Sequence, residues 1–324
     1  MKIPAIAALS LVLSLFLSFA ASLSHAQAYP TKTVRIIVGL APGGTTDVFT
    51  RTLAQRLTEA WGQTVIVENR PGASGMIGGE AVAKAAPDGY TLLVSPQTSL
   101  AVAPALYGKA PYDTAKDFAP VSLLGSTPLV MIVHPSFAAK TFKEFIELSR
   151  KQPLTYGSGG IGSSPHMTGE LISAALGVKM THVPYKGENP AIADTIGGQI
   201  PIMFGNLPVA LPHVRSGKVL ALATTTAKRS PLAPEIPTMS EGGIKDFEMA
   251  TWYGMLAPAG TPPELVQKIQ RDAARVLSDT QTRERLTQMG VDLILNTPEE
   301  FRTYLNAEIA RYTKIIKSAG LKAE

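Results

Sequence analysis

Short apolar runs alternate with amphipathic stretches along most of this chain. Val34–Val38 and residues 65–67 and 91–94 are apolar and β-branched, as strands covered on both faces require. Residues 46–61 carry a helical period that stops at Gly62, an Ala-rich helical stretch covers 78–85, and Pro87-Asp88-Gly89 turns the chain into the third strand. This βαβαβ beginning predicts a mainly parallel sheet with helices on both faces. A second series follows, with strands at 129–133, 154–156, 179–183, 200–204 and 219–224. Between them, Thr141-x-x-Glu144 reads as a capping box opening a helix, and further helices are expected at 165–176 and 189–197. The C-terminal part is helical. Thr261-Pro262-Pro263-Glu264 and Thr297-Pro298-Glu299-Glu300 each set Thr at a cap, Pro at the first helical position and Glu at the third. Leu265, Ile269, Ala273 and Val276 form one apolar stripe, and Phe301, Leu305, Ile309, Tyr312 and Ile316 another. The expected organisation is α/β with two lobes: 27–125 and 247–324 make a discontinuous first lobe and 126–246 the second. Crossings at 125–128 and 247–257 would act as a hinge.

Residues 1–26 stand apart. Lys2 gives a positive start, 5–21 is almost wholly apolar, and Ser24-His25-Ala26 places small residues before a cut, so a secretory signal cleaved near Ala26 is expected. The remainder has no apolar stretch long enough to span a bilayer. The chain contains no cysteine, which excludes a disulfide framework, thiol catalysis and thiolate metal sites. A formal charge of +5 is spread among acidic residues with no basic run interleaved with aromatics, so nucleic acid is not an expected partner.

Two glycine-rich turns carry the chemistry: Ala41-Pro42-Gly43-Gly44-Thr45-Thr46-Asp47 and Gly157-Ser158-Gly159-Gly160-Ile161-Gly162-Ser163-Ser164. Each follows a strand and opens a helix, whose free first-turn N–H groups and dipole favour an anion. Neither contains Lys or Arg, so the backbone would do the binding. The first turn has P-loop spacing but Thr45 where the phosphate-binding Lys belongs. The second matches G-x-G-x-x-G, yet the following strand ends His182-Val183-Pro184-Tyr185-Lys186, without the acid a ribose needs; Glu188 lies beyond the proline. His134, His166, His182 and His213 lack metal-ligand spacing. Ser163, Ser164 and His166 sit together without a nucleophile elbow, and read as helix caps or donors to a ligand rather than a catalytic pair. No catalytic residue, metal or cofactor is therefore expected. One carboxylate on each turn is the simplest arrangement, held by N–H groups at 43–46 and by Ser163, Ser164 and His166. Asp47 would bond its own turn, and Lys186 is the rival anion partner.

Several segments are more specific in combination: Tyr29-Pro30-Thr31-Lys32, Ala41-Pro42-Gly43-Gly44-x-x-Asp47, Val67-Glu68-Asn69-Arg70-Pro71-Gly72-Ala73, Ala86-Pro87-Asp88-Gly89-Tyr90-Thr91-Leu92-Leu93, Gly160-x-Gly162-Ser163 with His166, Val183-Pro184-Tyr185-Lys186-Gly187 and Ala257-Pro258-Ala259-Gly260-Thr261-Pro262. With them the chain, from Tyr29 onward, resembles the extracytoplasmic solute receptors of tripartite tricarboxylate transporters, the Bordetella uptake gene product family. The resemblance implies a two-lobe periplasmic-binding-protein fold of type II-like, Venus-flytrap form, whose ligand cleft closes on a small mono- or dicarboxylate. It implies a periplasmic monomer that presents its ligand to integral membrane permease subunits. A receptor feeding a membrane signalling sensor is the alternative, and a secreted hydrolase using Ser163 and His166 a more distant one. By the same resemblance the ligand lies between Ala41, Gly43, Gly44, Thr45, Thr46 and Asp47 on one side and Gly159, Gly160, Gly162, Ser163, Ser164 and His166 on the other, with Gln97 and Asn206 nearby. Two departures stand out: Leu40 where the family often has an aromatic, and Gly205 where it often has an acid. Losing that acid favours a non-amino mono- or dicarboxylate over an amino acid.

Overall fold

The computed structural model describes residues 29–322; the expected signal segment lies outside them. Among the described residues, no helix is long and apolar enough to cross a membrane. The first series forms β1 (Val34–Val38), α1 (Thr45–Trp61), β2 (Val65–Asn69), α2 (Met76–Ala83), β3 (Thr91–Pro96) and the short α3 (Ala103–Tyr107). β1 pairs in parallel with both β2 and β3, as a βαβαβ start requires. The long β4 (Phe118–Val133) leads to α4 (Phe142–Lys151), β5 (Leu154–Ser158), α5 (Ser164–Leu176), β6 (Met180–Pro184), α6 (Glu188–Ile196), β7 (Ile202–Asn206), α7 (Leu207–Arg215) and β8 (Leu220–Thr224). The last third contributes β9 (Ala250–Pro258), α8 (Pro263–Leu277), α9 (Thr280–Gln288), β10 (Asp292–Leu293) and α10 (Pro298–Ala319).

β4 organises the whole. Its first part pairs antiparallel with β9, which in turn pairs antiparallel with β3; this continues the sheet begun by β2, β1 and β3. Its last residues, Leu129 to Val133, run antiparallel between β7 and β8, and β7 passes the sheet on to parallel β5 and β6. The strand order is β2-β1-β3-β9-β4-β7-β5-β6, with β8 and β10 both paired to β4. Each βα series is thus parallel, as expected, while the strands joining the two series are antiparallel. The fold class is α/β, built on one ten-stranded sheet.

Burial follows the period of each element. In β4, Leu129, Met131 and Val133 enter one core and Val130 and Ile132 another, the alternation a strand imposes. α1 buries Phe49, Leu53, Ala54 and Leu57 against the first sheet, where Ile269, Ala273 and Val276 of α8 join the same core. α1 stops at Gly62, which adopts φ 64° and returns its N–H to the Thr58 carbonyl.

Three local expectations change. Thr261 does not cap α8: its hydroxyl donates to the Pro258 carbonyl, and α8 begins at Pro263 after Pro262. A residue preceding proline is held out of the helical region, so Pro262 (ψ 133°) cannot be a first helical residue. Pro298 is followed by Glu299 rather than a second proline, so it can open α10, and Thr297 before it forms the full reciprocal box with Glu300. At α4 only half a box forms: Thr141 accepts from the Glu144 N–H, but the Glu144 carboxylate takes the Lys140 N–H.

Candidate ligand-binding site

The first glycine turn leaves β1 at Gly39, where any side chain would strike the Gly75 carbonyl. Gly43 then takes φ 85°, a region glycine tolerates, and Gly44 sits extended as an N-cap with no side chain to cap α1. First-turn amides have no partner one turn back. Those of Thr45, Thr46 and Asp47 are therefore left for an outside acceptor. The Gly43 amide is not, because it donates to Asp47 Oδ2 at 2.9 Å. Asp47 Oδ2 also accepts from Arg51 Nε at 3.0 Å, and Oδ1 accepts from Asn69 Nδ2 at 2.9 Å. Burial raises the carboxyl, but these three bonds outweigh it and hold the Asp47 pKa below the ordinary carboxylate value. Asp47 is thus a strut for its own turn.

The second turn differs from the expected second cradle. Ser163 caps α5 by accepting from the His166 N–H at 3.3 Å, and its own N–H goes to the Gly160 carbonyl at 3.2 Å. Pro165 has no N–H. Of the first three residues of α5, only Ser164 keeps an uncommitted amide. Further back, the Gly162 N–H donates to His166 Nδ1 at 3.0 Å and the Gly160 N–H to Ser158 Oγ at 3.1 Å. The serines therefore offer hydroxyls, while the backbone here is largely spent on holding the turn.

The two turns meet at a cavity of about 190 Å³. Ala41, Gly44, Thr45, Thr46 and Asp47 line it from the α1 side, and Ser163, Ser164 and Asn206 from the other. Six of its walls escaped the sequence reading: Pro96, Thr98, Pro165, Glu188, Thr251 and Tyr253. Leu40 lines it as well. The volume falls below the ~300–1,000 Å³ of pockets for drug-sized molecules, so it suits a small one. Larger hollows exist, one of about 440 Å³ between α5 and α10 and one of about 600 Å³ between α1 and α8, but neither gathers donors from two strand–helix turns.

Other expected residues lie elsewhere. Gln97 is fully buried, with Nε2 donating to Ser164 Oγ (2.7 Å) and to the Ala250 carbonyl (3.0 Å) and Oε1 accepting from the Trp252 N–H (2.8 Å). It braces the site from behind. Gly160 faces a neighbouring hollow beside Leu106, Tyr107 and Tyr185, and Lys186 lines that hollow rather than the cavity. Gly159 packs against Glu188, and Gly162 packs against Leu106; neither lines the cavity. The His166 imidazole, 2% exposed, stacks on His182 at 3.9 Å between ring centres. Burial first, then the neighbouring His182, lowers its pKa to about 3, while burial lowers His182 to about 4. Ser163 Oγ contacts the His166 backbone and not its ring, so the pair has no nucleophile–base geometry.

Glu188, at the start of α6, is the most informative of the missed residues. Its carboxylate accepts from both the backbone and the side-chain nitrogen of Asn206, and it lies beside Gly205, whose added Cβ would sit 3.7 Å from Oε2. Glu188 thus brings a carboxylate from the preceding helix alongside Gly205. Its only early signal was an acid opening a helix after a Gly187 turn, a pattern shared with many surface helices. Burial pushes its pKa up to about 7 against the two Asn206 bonds. Among the described residues, no cluster of three or more acidic or histidine side chains could hold a metal.

Comparison with known proteins finds relatives along most of the chain. The family model for the tripartite tricarboxylate transporter family receptor matches residues 49–321. Protein BugT of Bordetella pertussis is 35% identical over 300 residues, covering 92% of either chain. An R. palustris protein solved with adipate superposes at a TM-score of 0.79 with 35% identity, over 91% of this chain and 99% of its own. MatC from Rhodopseudomonas palustris, with bound malate, gives 0.75 and 32%, over 89% of this chain and 100% of its own.

Proposed function

Because the chain belongs to the tripartite tricarboxylate transporter receptor family, a family of receptors and not enzymes, we propose that it captures a small organic carboxylate in the periplasm. The carboxylate sits on the open start of α1, between the two halves of the molecule, and the loaded receptor delivers it to integral membrane permease subunits. The protein works as a monomer, exported by a signal cleaved near Ala26. Residues 27–125 with 247–324 form one lobe and 126–246 the other, joined where β4 and β9 cross.

One observation carries this reading: three uncommitted amides at Thr45–Asp47 open onto a cavity that no Lys or Arg lines. Charge-assisted bonds are worth roughly 1.5–3 kcal/mol each, so three contribute a gross ~4.5–9 kcal/mol. Hydroxyls of Thr45, Ser163 and Ser164 add to that. Micromolar affinity needs about 8 kcal/mol after ordering costs, so a site without a cationic side chain is adequate once water is excluded. Adipate and malate in the two related structures support carboxylates as the ligand class.

A thermal-shift screen of carboxylic acids tests the proposal. A true ligand at 100 times its Kd adds about 2.7 kcal/mol of stability, a shift of several degrees, whereas uncharged analogues leave the midpoint in place. A full panel of acids without effect would defeat it. So would turnover of an ester or amide.

A further inference from the structure

Two walls of the cavity differ in chemistry. At one, the first turn of α1 presents only amide donors, suited to a carboxylate. At the other, Glu188 presents an acceptor. Thr251 Oγ1 donates to Asn206 Oδ1 at 2.9 Å, which directs the Asn206 NH₂ at Glu188, so that carboxylate has two neutral donors and no cation. No cationic side chain lines the wall, and the other carboxylate there, Asp47, is already satisfied by Gly43, Arg51 and Asn69.

A dicarboxylate reaching across this space would bring its second negative group toward Glu188 with no cation to separate them. A ligand with an ammonium at that end would instead complete the acceptor. We infer that Glu188 sets the specificity of this receptor, selecting a zwitterionic aminocarboxylate, carboxylate on the α1 turn and ammonium on Glu188, over a dicarboxylate of the same length. The inference rests on the carboxylate reading above and reverses the expectation drawn from Gly205. The desolvated state of Glu188 agrees with it, since its carboxyl is pushed up to about 7 and a cationic partner relieves the cost of its charge.

Calorimetric titration of the mature protein with pairs matched in length tests this: 4-aminobutanoate against succinate, 6-aminohexanoate against adipate, and L-alanine as the shortest zwitterion. The expected result is that a zwitterion binds at least tenfold more tightly than its dicarboxylate partner. In Glu188→Gln, which keeps the shape and removes the charge, the zwitterion should lose tenfold or more while dicarboxylates hold or gain. Glu188→Asp retains the sign of the preference, and unchanged thermal midpoints of the ligand-free variants exclude a folding defect. Tighter dicarboxylate binding by the unaltered protein overturns the inference and leaves the carboxylate reading standing. So does zwitterion affinity indifferent to Glu188→Gln. If no acid of either kind binds, the carboxylate reading falls and the inference with it.

Discussion

His166 and His182 stack face to face beneath the start of α5, with Ser158 Oγ 2.6 Å from His182 Nε2. The obvious functional reading of His166, a donor to the ligand, gives way to a structural one, because the ring is buried and its Nδ1 accepts the Gly162 N–H. An imidazole that accepts at Nδ1 must be neutral, and the folded pKa values of about 3 and about 4 keep both rings so. Unfolded, each would titrate near 6.5. The sign follows: above pH ~6.5 neither state is protonated and stability is unaffected. Below it the unfolded chain takes up protons that the folded one refuses, and stability falls by up to about 1.4 kcal/mol per pH unit for each ring. The loss stops where the folded pKa values are reached. Urea midpoints should therefore fall between pH 6.5 and 5, partly offset by Glu188, whose raised carboxyl is protonated first in the folded state, and in His182→Gln the slope should be shallower by one histidine's share. A flat profile over that range would mean these rings are solvated in the folded state. The sequence placed Ser163 and Ser164 at a helix start, and both line the cavity, but it could not show that Gly162 and His166 are partners four residues apart.

The two glycine turns look alike as sequence and behave differently as elements. α1 starts on Gly44, with nothing to cap it, so its donors stay open; α5 starts on Ser163-Ser164-Pro165-His166, which caps itself. This predicts where binding energy resides. Thr45 occupies the first helical position, where proline is tolerated, and Gly44 before it is already extended at φ −76°, ψ 167°, as a residue preceding proline should be. Thr45→Pro should remove one ligand-facing amide while leaving the helix in place. The expected cost in affinity is roughly 10- to 150-fold, matching ~1.5–3 kcal/mol, with the Thr45→Ala control, which loses only the hydroxyl, costing less. Equal losses in both would assign the contact to the side chain. Elements with an unbroken period were legible throughout: β1, α1, β5 and α10 follow the apolar pattern closely. Two elements interrupted by proline were not. Pro120 and Pro128 hid the first part of β4, and Pro208 and Pro212 hid α7. α9 was hidden by polarity, since it buries little besides Thr282 and Leu286 and so shows no stripe.

At the scale of the molecule, β4 runs from one half of the sheet into the other and β9 pairs along its first part, and antiparallel strands of this kind can flex without losing their ladder. What fixes the relative position of the halves must then lie in cross-links, and Gln97 is the clearest. Its amide ties the end of β3 to Ser164 on α5 and to both flanks of the β9 crossing at Ala250 and Trp252. No local pattern announces such a brace, because its partners are 67, 153 and 155 residues away. Gln97→Ala should loosen the ligand-ready arrangement without touching the ligand. Removing the buried bond between the halves is worth about 0.5–1.5 kcal/mol of bias, and a receptor whose competent state is less populated binds more weakly by that fraction. A loss of affinity of about 2- to 13-fold is expected, together with a larger radius of gyration in small-angle scattering of the ligand-free variant. Saturating ligand should restore the compact value, since binding supplies the bias that the mutation removed. If the variant binds normally and scatters like the parent, the halves are held by their packing alone, and closure cannot be governed from Gln97.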